Sequence, residues 1–338
     1  MKVLVVTRFH IGIFGGGVYR KIMKTTDGLS KKGVEVIFHD PWKNNIPDVD
    51  VVHFFTTYGG MHYYVREAKR CGKPVVISPV FAPYDIPLWQ MRLRVKSAVH
   101  IPGWLVGYKL VNFMFALADL ILPLHEQEAD RIEKCFGVSR DKLHIVPNGT
   151  DRQFAEGDPA IFRDKYGLDE FILQVGSINR NKNQLTLIKA LKELPFKCVI
   201  VGAPMSGHDE YEEKCRGLAG NNILFTGNID YDDPILASAF AAAKVFVLPS
   251  FSEVMPQVLY QAMQAGCNTV LSRNIPIDDE IKDAVFRFNP KSSRQLRKCI
   301  CEAVRQPPNQ RLRQFSMNMP TWDDIAGRIL DIYKGLIG

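Results

Sequence analysis

Apolar residues in this chain come in short runs, each followed by a stretch with apolar positions at helical spacing. Residues 2–7 form the first run and read as a buried strand. A glycine-rich loop follows, Gly12 and then Gly15-Gly16-Gly17. It opens a helical pattern over 18–31 that Gly33 closes. Residues 34–39, 49–54 and 74–78 read as further strands. The pattern then restarts. Residues 143–146 predict a strand ending in the turn Pro147-Asn148-Gly149, and 171–175 opens a second series continued by 197–201, 223–225, 245–248 and 269–271. Short β-rich runs separated by helices predict parallel α/β sheets. Two successive series predict two Rossmann-like, doubly wound units facing a cleft. The polar stretch 150–159, with Gly157 and Pro159, reads as the linker between them.

One segment departs from this alternation. Residues 86–118 contain no Asp or Glu, and they interleave Arg92, Arg94, Lys96 and Lys109 with Trp89, Trp104, Phe113 and Phe115. Cations beside aromatics suit a membrane interface. The same pattern suits a helix pair that packs its aromatics inward and solvates its charges, and amphipathicity alone does not separate the two.

Composition narrows the function classes. With 338 residues, two domains are expected, and 46% hydrophobic and 23% charged residues are ordinary for a globular chain. No run approaches the roughly 20 apolar residues of a membrane span. The start, Val3 to Val6, is shorter than a signal-peptide core. Seven scattered cysteines without a CxxC pair predict reduced thiols. A cytoplasmic address follows, with the inner face of the membrane as the variant that 86–118 suggests. The formal charge of +7 favours anionic ligands, but no nucleic-acid motif accompanies it, so no nucleic-acid partner is expected.

Three places carry candidate chemistry. Glycines at a strand-to-helix junction let backbone amides approach an anion at a helix N-terminus. Here Gly15, Gly16 and Gly17 do not satisfy the GxGxxG spacing, and Asp40 reads as a turn residue before Pro41 rather than a ribose-binding acid. The run Gln174-Val175-Gly176-Ser177-Ile178-Asn179-Arg180-Asn181-Lys182-Asn183 ends a strand at a glycine and follows it with two cations. Arg180 and Lys182 at a sheet's carboxyl edge would suit a diphosphate. The run from Ser250 to Gly266 leads a strand into a loop bearing Glu253, then Met255, Pro256 and a helix bearing Gln261. Carboxylate and amide acceptors there would face sugar hydroxyls; the plain alternative for Glu253 is a helix-start acid.

Together these segments resemble the retaining GT-B glycosyltransferases of family 4, and the likeness spans nearly the whole chain. Phe14-Gly15-Gly16-Gly17-Val18 is similar to the family's first glycine loop. Ala118-Asp119-Leu120-Ile121-Leu122 with Glu126 and Glu128 resembles the segment before the domain junction. Val146-Pro147-Asn148-Gly149-Thr150-Asp151 resembles the VPNG-x-D turn, and Gly176-Ser177 with Lys182-Asn183 the phosphate loop. Glu253, Met255 and Pro256 resemble the start of the E-x7-E signature. Trp322 through Tyr333 resembles the terminal helix that crosses back to the first domain. The resemblance implies domains at 1–152 plus 318–338 and at 153–317. Three positions depart from the family. Gln261 replaces the second Glu, Ser177 stands where an Arg is common, and Val80 stands where a His usually contacts the transferred sugar. His53 and His125 are candidates to fill that gap, with a structural role as the alternative for each.

The resemblance implies sugar transfer from a nucleoside diphosphate sugar to a glycan, a lipid-linked or another hydroxyl acceptor. Lys182 and Arg180, with the amides of Gly16 and Gly17, would hold the diphosphate. Gly176 and Ser177 would line it, Glu253, with Met255 and Pro256, would hold the sugar, and Gln261 the ribose. Glu253 and Lys182 are the expected catalytic pair. No cofactor or metal is expected, since Asp232-Asp233 is adjacent and reads as a helix start. The competing readings are a degenerate GT-B module that only binds or scaffolds, and an epimerase or dehydrogenase on related units.

Overall fold

The computed structural model describes residues 1–8, 11–14, 16–43, 46–57, 59–81, 83–101, 103, 105–192 and 194–338. Gly15 and Trp104, both singled out above, lie outside the described residues. The chain divides into two compact units, Met1–Gly149 with Pro320–Gly338, and Thr150–Met319.

The first unit is built on five parallel strands: β1 (Lys2–Val6), β2 (Glu35–Phe38), β3 (Val51–Phe55), β4 (Val75–Ser78) and β5 (Leu120–Ile121). Their order is β2-β1-β3-β4-β5. The inner strands are buried on both faces, which is why they read as near-continuous Val, Ile and Phe. Side chains alternate between two cores. Val3, Val5, Val51 and Phe55 meet the C-terminal helix Trp322–Ile337, while Leu4, Val6, Val52 and Phe54 meet Val111, Met114 and Ile132 on the other side. The C-terminal helix starts at a capping box, Thr321 with Asp324. It buries Trp322, Ile325, Ala326, Ile329 and Tyr333 at helical spacing. It also lies close against helix Gly16–Lys31, where a Cβ on Gly28 would come within 2.6 Å of Ala326 Cβ.

The second unit holds six parallel strands: β6 (Phe171–Val175), β7 (Cys198–Val201), β8 (Ile223–Gly227), β9 (Ala243–Leu248), β10 (Asn268–Ser272) and β11 (Phe286–Phe288). The order β11-β10-β9-β6-β7-β8 puts β6 beside β9 at the centre. From β6 the chain winds one way, and from β9 the other. Loops diverge at such a switch point and leave a crevice at the strands' carboxyl ends. In the first unit the same reversal falls between β1 and β3.

Several expectations are corrected. Residues 143–146 form no strand, and only Leu143 bridges to Ile121. The stretch 150–159 is not a free linker. Phe154 is fully buried, Arg152 donates to the carbonyls of Ser316 and Met319, and Asp158 caps helix Pro159–Tyr166. Those anchors draw 150–152 into the second unit, so the units meet at 149/150 and 319/320 rather than at 152/153 and 317/318. The segment 86–118 is a helix pair that packs only some of its aromatics inward. Helices Leu88–His100 and Val106–Leu117 bury Met91, Val95, Ala98, Val111, Met114 and Phe115, yet Trp89, Leu93, Val99, Ile101, Val106 and Phe113 are exposed. Among the described residues, no helix is long and apolar enough to cross a membrane.

Candidate active site

The switch point of the second unit gathers two loops. The first follows β6. Gly176 adopts φ +145°, and a Cβ there would press within 3.4 Å of Lys182 Cε. Asn179 ties the loop, its Oδ1 accepting from the Lys182 amide at 3.0 Å and its Nδ2 donating to Ser177 Oγ at 3.0 Å. Asn183 closes the loop in a left-handed conformation, φ +58°. Its Nδ2 donates to the carbonyls of Pro249 and Pro290, so helix Gln184–Leu191 starts from a fixed point. Asn and Gly are the residues that take such backbone geometry most readily.

The second loop follows β9, and Asn181 aligns it with the first. The Phe251 amide donates to the Asn181 carbonyl at 2.8 Å. The Asn181 side chain accepts from the Ser252 amide at 3.2 Å and donates to the Ser252 carbonyl at 2.9 Å. This two-way pairing sets the next residue of each loop face to face. Lys182 Nζ lies 2.6 Å from Glu253 Oε1, and the two side chains are only 19% and 15% exposed. A largely buried ion pair of this kind keeps both charges compensated. Helix Gln257–Gln264 begins just beyond, with Pro256 at its N-cap, a residue whose side chain cannot cap the first amides. Gln261 on that helix is buried, and its Nε2 has no partner among the described residues.

Thus Gly176, Ser177, Arg180, Lys182, Glu253, Met255, Pro256 and Gln261 all lie on the two loops and the helix at one switch point. Lys182 and Glu253 touch, whereas Arg180 and Ser177 are exposed. Gly16, at φ +88°, and Gly17 open helix Gly16–Lys31 in the other unit, with open space where a Cβ would be.

Two candidate histidines have structural partners. His53 is fully buried within β3; its Nδ1 sits 2.5 Å from the Tyr333 hydroxyl and its Nε2 2.9 Å from Ser78 Oγ. Burial first, and Lys21 second, push its pKa down to about 3, so it stays a neutral bridge between sheet and terminal helix. His125 is the N-cap of helix Glu126–Phe136, its Nδ1 accepting from the Glu128 amide and its Nε2 lying 3.3 Å from the Tyr84 hydroxyl. Burial keeps His53 from any ligand, and His125 serves as a helix cap. Asp40 accepts from the Trp42 amide, a turn role, and Asp233 caps helix Pro234–Ala242.

The structure adds residues that sequence reading passed over. Gly202, just after β7, takes φ +146°, and a Cβ there would stand 2.1 Å from the Gly176 carbonyl oxygen. Gln174 is fully buried on β6 beneath the loop, with neither amide atom partnered among the described residues. Asn181 and Asn183 supply the bonds that align the loops.

The paired doubly wound units are those of the GT-B fold. The Anabaena protein HepE in complex with UDP superposes with TM-score 0.74 at 16% identity, over 99% of this chain and 100% of that one. Residues 39–154 match the family described as Glycosyltransferase Family 4, and residues 161–320 match Glycosyl transferases group 1. The chain belongs to this family of glycosyltransferases. It is 27% identical over 205 residues to the serotype-specific mannosyltransferase WbdA of Escherichia coli, which covers 56% of this chain and 25% of that protein. It is 34% identical over 209 residues to an N-acetylgalactosaminyltransferase of Campylobacter jejuni named for a diphospho-undecaprenol acceptor, covering 59% and 55%. The chain spans only about a quarter of the length of the first of these relatives.

Proposed function

We propose that the protein transfers a glycosyl group from a nucleoside diphosphate sugar to a hydroxyl acceptor with retention at the anomeric carbon. The observation that carries this reading is the Lys182–Glu253 pair at the switch point. A bound UDP in HepE supports a nucleoside diphosphate as the leaving group. On donor entry, Lys182 exchanges Glu253 for the diphosphate, and Glu253 turns to the sugar hydroxyls. Arg180 adds to the phosphate side, Gly176 and Ser177 line it, and Gln261 takes the ribose. The bond from the anomeric carbon to the diphosphate oxygen breaks. The acceptor oxygen bonds to that carbon on the same face, and its proton passes to the departing phosphate. Lys182 meets the charge that develops, and preorganised groups of this sort are worth about 3–4 kcal/mol each. Proton NMR of the product tests retention: an anomeric configuration matching the donor's supports it, and the opposite configuration refutes it.

Lys182→Ala is expected to weaken UDP or GDP at least tenfold, about 1.4 kcal/mol, in calorimetry. Unchanged affinity in a folded variant would remove Lys182 from the phosphate site.

The acceptor is a lipid-linked or membrane-borne glycan in this reading, as the name of the Campylobacter relative suggests for that protein. Trp89, Leu93, Val99, Ile101, Val106 and Phe113 are exposed on helices Leu88–His100 and Val106–Leu117 or just past them, beside exposed Arg92, Arg94, Lys96 and Lys109. No carboxylate interrupts 86–118. Such a face adsorbs to anionic lipid, each cation adding about 1 kcal/mol near the surface. Vesicles of phosphatidylglycerol in phosphatidylcholine should sediment the protein at low salt and release it at high salt. Failure to sediment at low salt contradicts the contact.

A further inference from the structure

In the first unit, a carboxylate outside the proposed chemistry joins three segments at the carboxyl end of the sheet. Glu128, on helix Glu126–Phe136, is fully buried. Its Oε1 accepts from the Phe81 amide at 2.6 Å and its Oε2 accepts from the Leu124 amide at 2.6 Å. Phe81 lies on the loop after β4, and Leu124 on the loop after β5. Lys21, itself buried on helix Gly16–Lys31, is the cation whose field favours the charged carboxylate. One carboxylate therefore links the two loops to the helix that carries it.

The backbone it holds is an unfavourable one. Val80, directly before Phe81, sits at φ +48°. A β-branched residue is a genuine outlier in the left-handed region and persists only where its surroundings over-determine it. The Phe81 amide fixed on Glu128 is the adjoining constraint. Burying a carboxylate is costly, and burial pushes this one up to about 7 against the pull of the two amides and Lys21. Filling space does not require such a group, since a hydrophobic residue of similar volume would do that at lower cost.

We propose that Glu128 is a positioning residue for glycosyl transfer: its two carboxylate oxygens hold the Val80–Phe81 backbone in the left-handed turn at the carboxyl end of the first unit's sheet. This rests on the reading of Val80 as the position facing the transferred sugar. Glu128 touches neither substrate; it acts through the loop. An amide cannot replace it, because Gln accepts at one oxygen and presents an N–H donor to the second backbone N–H.

The test is a set of variants in the full chain with turnover, nucleoside diphosphate affinity and stability measured on each. Glu128→Gln should lower kcat at least tenfold while UDP or GDP affinity, which belongs to the second unit, changes less than twofold. Glycine adopts the left-handed turn without the clamp. Adding Val80→Gly to Glu128→Gln should therefore recover at least threefold in kcat. A kcat loss no larger than the loss of folded protein, or no recovery in the double variant, overturns the proposal. If Glu128→Gln does not fold, hydrogen exchange at the Phe81 amide of the wild type decides. Strong protection supports the clamp, and exchange at an open-loop rate overturns it. A wild type that turns over no donor defeats the glycosyltransferase reading instead, and the same exchange measurement still judges the clamp.

Discussion

Glu253→Ala is expected to lower turnover at least about a hundredfold and leave nucleoside diphosphate binding within about threefold of wild type. The asymmetry follows from the pair's division of labour. Glu253 is a carboxylate, so it repels a diphosphate and suits the sugar hydroxyls, whereas Lys182 suits the diphosphate. In the wild type the two neutralise each other at 2.6 Å. Removing Glu253 frees Lys182 and so does not weaken the phosphate contact. What disappears is the group proposed to orient the reacting carbon, and misplacement by an ångström can cost about a hundredfold. Glu253→Gln should fall between, since it keeps the shape and one acceptor. Rates with single-turnover mixing and affinities by calorimetry separate the two quantities. Near-wild-type turnover, or equal losses in rate and affinity, would reject the assignment.

Gly202→Ala is the second large effect. The new Cβ would lie 2.1 Å from the Gly176 oxygen and 2.7 Å from its carbonyl carbon. Both are backbone atoms, so no side chain can rotate away. The conformation, φ +146°, is itself rarely open to alanine. Overpacking of this kind costs about 1–3 kcal/mol or more. A change near 3 kcal/mol corresponds to roughly 6–12 °C in Tm for a domain of this size. Because Gly176 starts the loop that carries Lys182, donor affinity should fall at least tenfold as well. Gly217→Ala is the control: it lies exposed in helix Asp209–Leu218 with nothing within 4 Å of the added carbon, so it should be neutral or slightly stabilising. Equal behaviour of the two variants in thermal denaturation and calorimetry would contradict the packing described.

Much of the fold is legible in the residue pattern because parallel strands buried on both faces must be apolar throughout. The strand Phe171–Val175 and the helix Gln257–Gln264 fall where the pattern put them. The misses have physical reasons. β5 is two residues long and β11 three, with Arg287 at its centre, so neither makes a run. The stretch 150–159 looks like a linker by composition, and its anchoring depends on partners such as Ser316 and Met319, far along the chain. His53 resembles a free functional histidine until Tyr333, from the C-terminal helix, is placed against it. At the site, Lys182 and Glu253 are readable one by one, but their pairing is not. It needs β6 beside β9 and an asparagine, Asn181, bonded to the backbone of Ser252, and neither fact is local. Gly202 looks like an ordinary turn glycine, because its role is set by the carbonyl of a neighbouring strand's loop.

Incubation of the purified protein with a panel of UDP- and GDP-sugars and membrane-derived or lipid-linked acceptors, with released nucleoside diphosphate as the readout, tests the central claim most directly. At least one donor should be consumed with release of its diphosphate, by the wild type and not by Glu253→Ala. No consumption of any donor with any acceptor, or equal consumption by both proteins, would contradict the account.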